Sequence, residues 1–268
     1  MRDIYFLSWF FKDELFHKEM IQYTRSGVLS DNLKNLYHKN RSLIEKGKSI
    51  CEQSGASIVV YIDTDYPICF KELERPPWVL TYKGNLKLLN RAHLLSIVGS
   101  RRADPEVLYW LNKNFKIASK NLVLVSGGAI GVDQEVHKIA LREGLATVIV
   151  LPVGIKQMYP SSLGAVVTQL FRRNEKSVLL ISQFYPDQKV YKSSFYPRNY
   201  VLSAISPRLI VAQSEIKSGT MVTAKYALDN GQEIYTLPAS PWDLRYSGNL
   251  KLLEDGACQL IDLSLIHT

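Results

Sequence analysis

The sequence predicts a doubly wound α/β fold with a mainly parallel sheet behind a small helical N-terminal domain, and three observations predict it. From residue 94 onward, short apolar runs alternate with amphipathic stretches of helical period. The apolar runs lack polar alternation, as strands covered on both faces require. Several end in small-residue turns: Gly99-Ser100-Arg101, Ser126-Gly127-Gly128 and, a few residues past its strand, Ser218-Gly219-Thr220. In an open parallel sheet such turns gather along one edge and can build one pocket.

Taken in order, residues 1–60 form the helical domain: Leu33, Leu36, Leu43, Ile44 and Ile50 stand at helical spacing among many lysines. Ser30 or Asp31 can cap a helix there, with Gly27 and Gly55 as breaks. Residues 61–93 are a connector rich in turn signals (Asp65-Tyr66-Pro67, Pro76-Pro77), carrying one strand at 79–82. The body of the fold is expected over 61–268, with strands at 94–98, 122–125, 147–151, 178–181, 209–212 and 233–237. A helix at 106–120 follows Pro105, which suits a first turn, and places Val107, Leu111, Phe115 and Ala118 on one face. Further helices are expected at 132–142, stopped by Gly144, and at 163–172, 199–205 and 220–229.

Of the 268 residues, 46% are apolar, which is ordinary for a chain with a sizeable core. No run reaches the 18 or so apolar residues of a membrane span, so no membrane partner is expected. Cys51, Cys69 and Cys258 are far apart, and no His or Cys falls at zinc-ligand spacing. The chain therefore reads as reduced, cytoplasmic and free of metal and cofactor. Lys plus Arg number 33 against 25 acids, a balance of +8 that suits a polyanionic partner.

Four clusters carry chemistry. In Gly99-Ser100-Arg101, glycine lets backbone N–H groups approach an anion and Arg101 adds a guanidinium fork; the alternative is a tight turn with a solvated arginine. In Ser126 to His137, the spacing of four puts Asp133 and His137 on one helix face. A structural role is favoured for that pair, Asp133 orienting a packed histidine, because no nucleophile accompanies them. Between residues 189 and 198, Lys189, Lys192 and Arg198 interleave with Tyr191, Phe195 and Tyr196 and no acid intervenes. Cations on phosphates with rings under bases make a single-strand binding surface, whereas a basic surface loop anchored by its rings has the same composition. In the fourth cluster, Ser218 and Thr220 open a helix and can cap it or meet a phosphate. A Gly-Lys-Ser/Thr loop is missing, which excludes a Walker-type hydrolase, and so is the dinucleotide fingerprint with its ribose-binding acid.

Taken together, these turns resemble the DNA-processing family DprA/Smf. The resemblance runs from Asp63 onward. It takes in Asp65-Tyr66-Pro67, Val98 to Arg101, Ser126 to Asp133 with His137, Tyr159-Pro160, Phe195 to Asn199, Ser218-Gly219-Thr220 with Thr223-Ala224, and Gly248-Asn249. It implies an extended Rossmann-like domain that binds single-stranded DNA, protects it and helps load the RecA recombinase during natural transformation, without catalytic activity and often as a homodimer. Carried over residue by residue, the DNA site is expected to comprise Gly99, Ser100, Arg101, Ser126, Gly127, Gly128, Lys192, Phe195, Arg198, Asn199, Ser218, Gly219 and Thr220. The chain departs from the family pattern at Gln183 and Gln213, where relatives carry glutamate, and the loss of two carboxylates is expected to make the pocket more positive. It also ends soon after Ile261, so no C-terminal winged-helix domain is expected. Two competing readings are a nucleotide-cleaving enzyme similar to the phosphoribohydrolases and a small-nucleotide sensor. The first needs an acid near Gly219-Thr220, and the helix there has none before Asp229.

Overall fold

A computed structural model describes residues 2–116 and 119–266. After a 3-10 segment, Arg2–Trp9, come helices α1 (Glu14–Ser26) and α2 (Asp31–Gln53). The remaining elements are β1 (Ser57–Val60), α3 (Ile68–Lys71), β2 (Val79–Gly84), β3 (Leu94–Val98), α4 (Pro105–Phe115), β4 (Val123–Ser126), α5 (Val132–Glu143) and β5 (Ala146–Val150). They continue with α6 (Leu163–Asn174), β6 (Val178–Ser182), α7 (Phe195–Ser203), β7 (Arg208–Val211), α8 (Gly219–Asp229), β8 (Glu233–Thr236), α9 (Ser247–Glu254) and β9 (Cys258–Gln259).

All nine strands join one sheet in the order β1-β2-β6-β5-β4-β3-β7-β8-β9. Pairing is parallel from β6 across to β9, while β2 runs antiparallel to both β1 and β6. The apolar runs alternate between the two faces. Leu94 and Val98 of β3, Val123 and Val125 of β4, and Leu209 and Val211 of β7 enter one core with Val201 and Leu202 of α7 and Ala224 and Ala227 of α8. Leu95, Ile97, Leu124 and Ile210 enter the other, against Val107, Leu111 and Phe115 of α4 and Val136 and Ile139 of α5. This two-sided burial is why these strands read as continuous hydrophobic sequence. Ala118, expected on the apolar face of α4, lies outside the described residues.

The order in which strands are added reverses at β3: β4, β5 and β6 extend from one side of it, β7, β8 and β9 from the other, all parallel. The crevice beyond the C-terminal ends of β3 and β7 is therefore the switch point where doubly wound sheets bind ligands.

The N-terminal helices have the caps expected of them: Ser30 Oγ accepts from Leu33 N at 3.1 Å, and Gly27 ends α1 at φ 71°. Residues 57–60, within the stretch expected to be helical, instead form β1 at the sheet edge. Its Val60, with Val79 of β2 and Trp78, packs into the aromatic core of Tyr5, Phe6, Trp9, Phe16 and Tyr23. The helical segment is thus welded to the sheet by shared burial. Among the described residues no helix is long and apolar enough to cross a membrane.

Candidate functional site

The turns after β3, β4 and β7 converge at the switch point and, with α7, enclose a cavity of about 270 Å³. Its lining includes Gly99, Ser100 and Arg101 after β3, Phe195, Arg198 and Asn199 on α7, and Ser218, Gly219 and Thr220 at the start of α8. A smaller recess lined by Gly127 adjoins it, sharing Arg101, Ala129, Phe195 and Arg198.

Hydrogen bonds between turns fix this convergence. Thr220 Oγ1 donates to the Gly99 carbonyl (3.2 Å), Asn199 Nδ2 to the Gly219 carbonyl (3.2 Å), and Val132 N to the Ser100 carbonyl (3.2 Å). Gly131, at φ 88°, is required here, since a Cβ on it would collide with the Ser100 carbonyl. The loop ahead of α5 therefore seats directly on the arginine turn.

The electrostatic centre is a cluster of two guanidinium groups and one ring. The guanidinium carbons of Arg101 and Arg198 lie 5.1 and 5.8 Å from the Phe195 ring centroid, within cation–π range. Arg101 is exposed, whereas Arg198 is 5% exposed. Asp133 Oδ2 is 4.0 Å from Arg198 Nη1, which donates to the Val150 carbonyl at 3.5 Å, and Arg198 Nε has no hydrogen-bond partner among the described residues. Burial pulls the Arg198 pKa down, with Asp133 opposing and Arg101 adding to the fall; burial likewise pushes the Asp133 carboxyl up, against the pull of Arg198. A buried cation so poorly compensated is set to receive an anion. Gly127 makes room for it, because a Cβ there would overlap Arg198 Nη1.

The structure places three of the expected residues apart from the cavity linings, and it corrects one pairing. Ser126 is fully buried and its hydroxyl donates to the Ile97 carbonyl at 2.7 Å, so it is a strut behind the cavity. Gly128 is outside both linings, its Cα facing the Leu163 side chain. Lys192 is exposed in the 3-10 turn Lys192–Ser194 ahead of α7 and also lies outside the linings. Asp133 and His137 share a helix but no hydrogen bond: His137 Nδ1 meets Thr147 Oγ1 at 2.8 Å, and its Nε2 has no partner. Asp133 orients Arg198 instead of the histidine.

The two glutamines also fall elsewhere. Gln213 is buried, with Oε1 accepting from Asp104 N at 2.9 Å, and Gln183 donates from Nε2 to the Pro197 carbonyl at 2.7 Å. Neither lines the cavity, so their neutrality does not set its charge. Sequence reasoning missed an acid that does line it, Glu215. It follows β7 by four residues, at the sheet edge where ligands bind, and that position was the available signal. Among the described residues no group of three His, Cys, Asp or Glu side chains is placed to hold a metal ion.

Comparison with known proteins agrees with this fold. The chain is 30% identical over 237 residues to the DNA processing protein DprA of Bacillus subtilis, covering 87% of this chain and 78% of that one. It is 30% identical over 196 residues to DprA of Streptococcus pneumoniae, covering 73% and 68%. The X-ray structure of Streptococcus pneumoniae DprA superposes with a TM-score of 0.81 at 23% identity, covering 98% of this chain and 95% of that one, a likeness of fold. A Helicobacter pylori DprA structure, described as giving insight into a unique single-stranded DNA binding mode, superposes with a TM-score of 0.68 at 29% identity over 78% of this chain and 93% of that one. The family described as DNA recombination-mediator protein A matches residues 57–267, the whole sheet with its switch-point crevice, and the chain belongs to that family.

Proposed function

We propose that this chain binds single-stranded DNA across the C-terminal ends of β3, β4 and β7, protects it, and helps load a RecA-type recombinase onto it during natural transformation. The observation that carries the reading is the Arg101–Phe195–Arg198 cluster in the switch-point cavity. A base stacks on Phe195, while its phosphates meet the two guanidinium groups and the free N–H groups at the start of α8. Lys192, exposed just ahead of α7, meets the backbone at the rim. A single strand is favoured over duplex because the ring sits in a concave site that only an unstacked base enters. The recombinase step and the pairing of two copies, which would lengthen the bound strand, rest on family membership. The three unpaired cysteines suit a reducing cytoplasm.

Titration of a labelled oligothymidine and of the matched duplex tests this. Wild type is expected to prefer the single strand, and Phe195→Ala to lose about 1–3 kcal/mol of binding. Equal affinity for duplex, or an unchanged Phe195→Ala, defeats the reading.

One observation favours a second reading. Glu215 and Asp133 place two carboxylates in the same cavity, the kind of group that general acid–base cleavage of a nucleotide requires. Incubation with nucleoside monophosphates and chromatography for free base decides it: release abolished by Glu215→Gln establishes an enzyme.

A further inference from the structure

Helix α7 has a second functional face. Phe195, Arg198, Asn199 and Leu202 line the switch-point cavity, but Tyr196, Pro197 and Tyr200 turn the opposite way and line a larger cavity of about 420 Å³. That cavity lies between the sheet body and the N-terminal segment, which contributes Phe11, Lys12, Phe16 and His17. It is walled by rings. Tyr200 and Tyr226 meet edge-on at 5.3 Å, and Trp78 lies 5.5 Å from the His17 ring. The hydrogen bonds of those walls are internal: His17 Nε2 meets the Glu74 carbonyl at 2.8 Å, and the Tyr200 hydroxyl accepts from Arg75 N at 3.3 Å. The ring faces are therefore held in place without a ligand.

The charge of the mouth is cationic. Lys12 Nζ stands 4.5 Å over the Phe184 ring, and no salt bridge or hydrogen bond to it occurs among the described residues. Although the residue is exposed in part, the protein around its ammonium group draws its pKa down to about 8. Arg75 is the second cation, and Glu74 is the single carboxylate of the lining. Tyr196, 53% exposed, projects beside these groups. Aromatic faces next to an unneutralised ammonium and a guanidinium complement a base and its phosphate.

We propose that this cavity is a second nucleobase site on the same strand, so that α7 acts as a spar with one nucleotide seated on each side. A helix with its side chains is about 10–12 Å across, a span of a few nucleotides of an extended strand. The inference rests on the single-strand reading of the first cavity. It makes the N-terminal segment part of the DNA surface, and it gives Tyr196, singled out among the rings of the 189–198 cluster, a use distinct from that of Phe195.

The test measures affinity for thymidine monophosphate and for oligothymidines of increasing length, using wild type, Phe195→Ala, Tyr196→Ala, Tyr196→Phe and Lys12→Ala. Tyr196→Ala and Lys12→Ala are expected to bind the mononucleotide and the shortest strands as wild type does, and to bind longer strands about tenfold more weakly. Tyr196→Phe, which keeps the ring, is expected to match wild type at all lengths. Wild-type affinity at every length for Tyr196→Ala, with Phe195→Ala still impaired, overturns the second site and leaves the first standing. The same result accompanied by lost recombinase capture assigns the groove to a protein segment and also overturns it. An equal loss at every length, mononucleotide included, places the effect in the first cavity and overturns it too. Wild type that binds no oligothymidine removes both readings together.

Discussion

Arg198 shows how the site is made by what surrounds one residue. Its guanidinium is buried, 4.0 Å from a single carboxylate whose own ionisation burial opposes, and Gly127 provides the space it occupies. Gly127→Ala must push Nη1 aside, so it is expected to weaken single-strand binding about tenfold, and Gly127→Ala/Arg198→Ala to bind no worse than Arg198→Ala alone. A double-mutant cycle by anisotropy checks this, since full additivity would mean that the glycine acts elsewhere. His137 makes a different prediction. Thr147 Oγ1 donates to the Leu124 carbonyl, so His137 Nδ1 carries the proton and Nε2 is a bare, buried acceptor. Burial lowers its pKa to about 3. Below the unfolded value near 6.5 the unfolded chain takes up a proton that the folded one refuses, so this group's contribution to stability falls as pH drops. The loss is about 1.4 kcal/mol per pH unit and levels off near pH 3. Urea titrations between pH 7 and pH 4 are expected to show that slope, and His137→Gln to flatten it. The sequence placed Asp133 and His137 on one helix but could not show that each faces a different partner, because Arg198 and Thr147 come from elements remote in the chain.

At the scale of elements, α7 and α8 decide what the turns can do. Ser218 caps α8: its Oγ accepts from Met221 N at 3.3 Å and lies 2.7 Å from Ser214 Oγ. Ser214 already donates to the Glu215 carbonyl, so the Ser218 proton goes to Ser214 and its lone pair to the helix. The hydroxyl is thereby committed to the fold, leaving the backbone N–H groups of the first turn to meet an anion. Ser218→Ala is expected to lower stability by about 1 kcal/mol in urea while changing DNA affinity less than Phe195→Ala does. The strands of the parallel sheet were legible because both faces of each are covered, and β3, β4 and β7 carry the evidence as nearly apolar runs, with Ser96 inside β3 and polar residues only at the ends of β4 and β7. β1 was not, since Ser57-Ile58-Val59-Val60 is a short edge strand, exposed at its start, beside a helical stretch. α7 was read as starting at Asn199, past Pro197, yet the ring is tolerated in a first turn and the helix begins at Phe195. That four-residue difference hid the two-faced helix, because Phe195 and Tyr196 separate only once both lie on it.

For the whole molecule, the question is how much of the +8 balance the DNA uses. Many cations are already engaged: Arg2 pairs with Asp63 at 2.7 Å, Arg142 with Glu135 at 2.7 Å and Arg208 with Glu233 at 3.1 Å, none of them in the lining of the crevice. Arg101 and Lys192, exposed in the turns around the cavity, form no ion pair among the described residues. A diffuse positive surface and a focused trough differ in one measurable respect. Each phosphate neutralised on a single strand contributes about −0.7 to the slope of log K against log salt. If the strand is held by the trough, Arg101→Ala is expected to make the slope shallower by about 0.7 and to weaken binding equally for all sequences, because phosphate contacts carry no base information. Removal of a remote cation such as Arg208 is expected to leave the slope unchanged. Anisotropy titrations at several salt concentrations, with thymidine-rich and mixed-sequence oligonucleotides, measure both effects. A slope that responds equally to Arg101→Ala and Arg208→Ala would mean that net charge, not the convergence of the turns, attracts the strand.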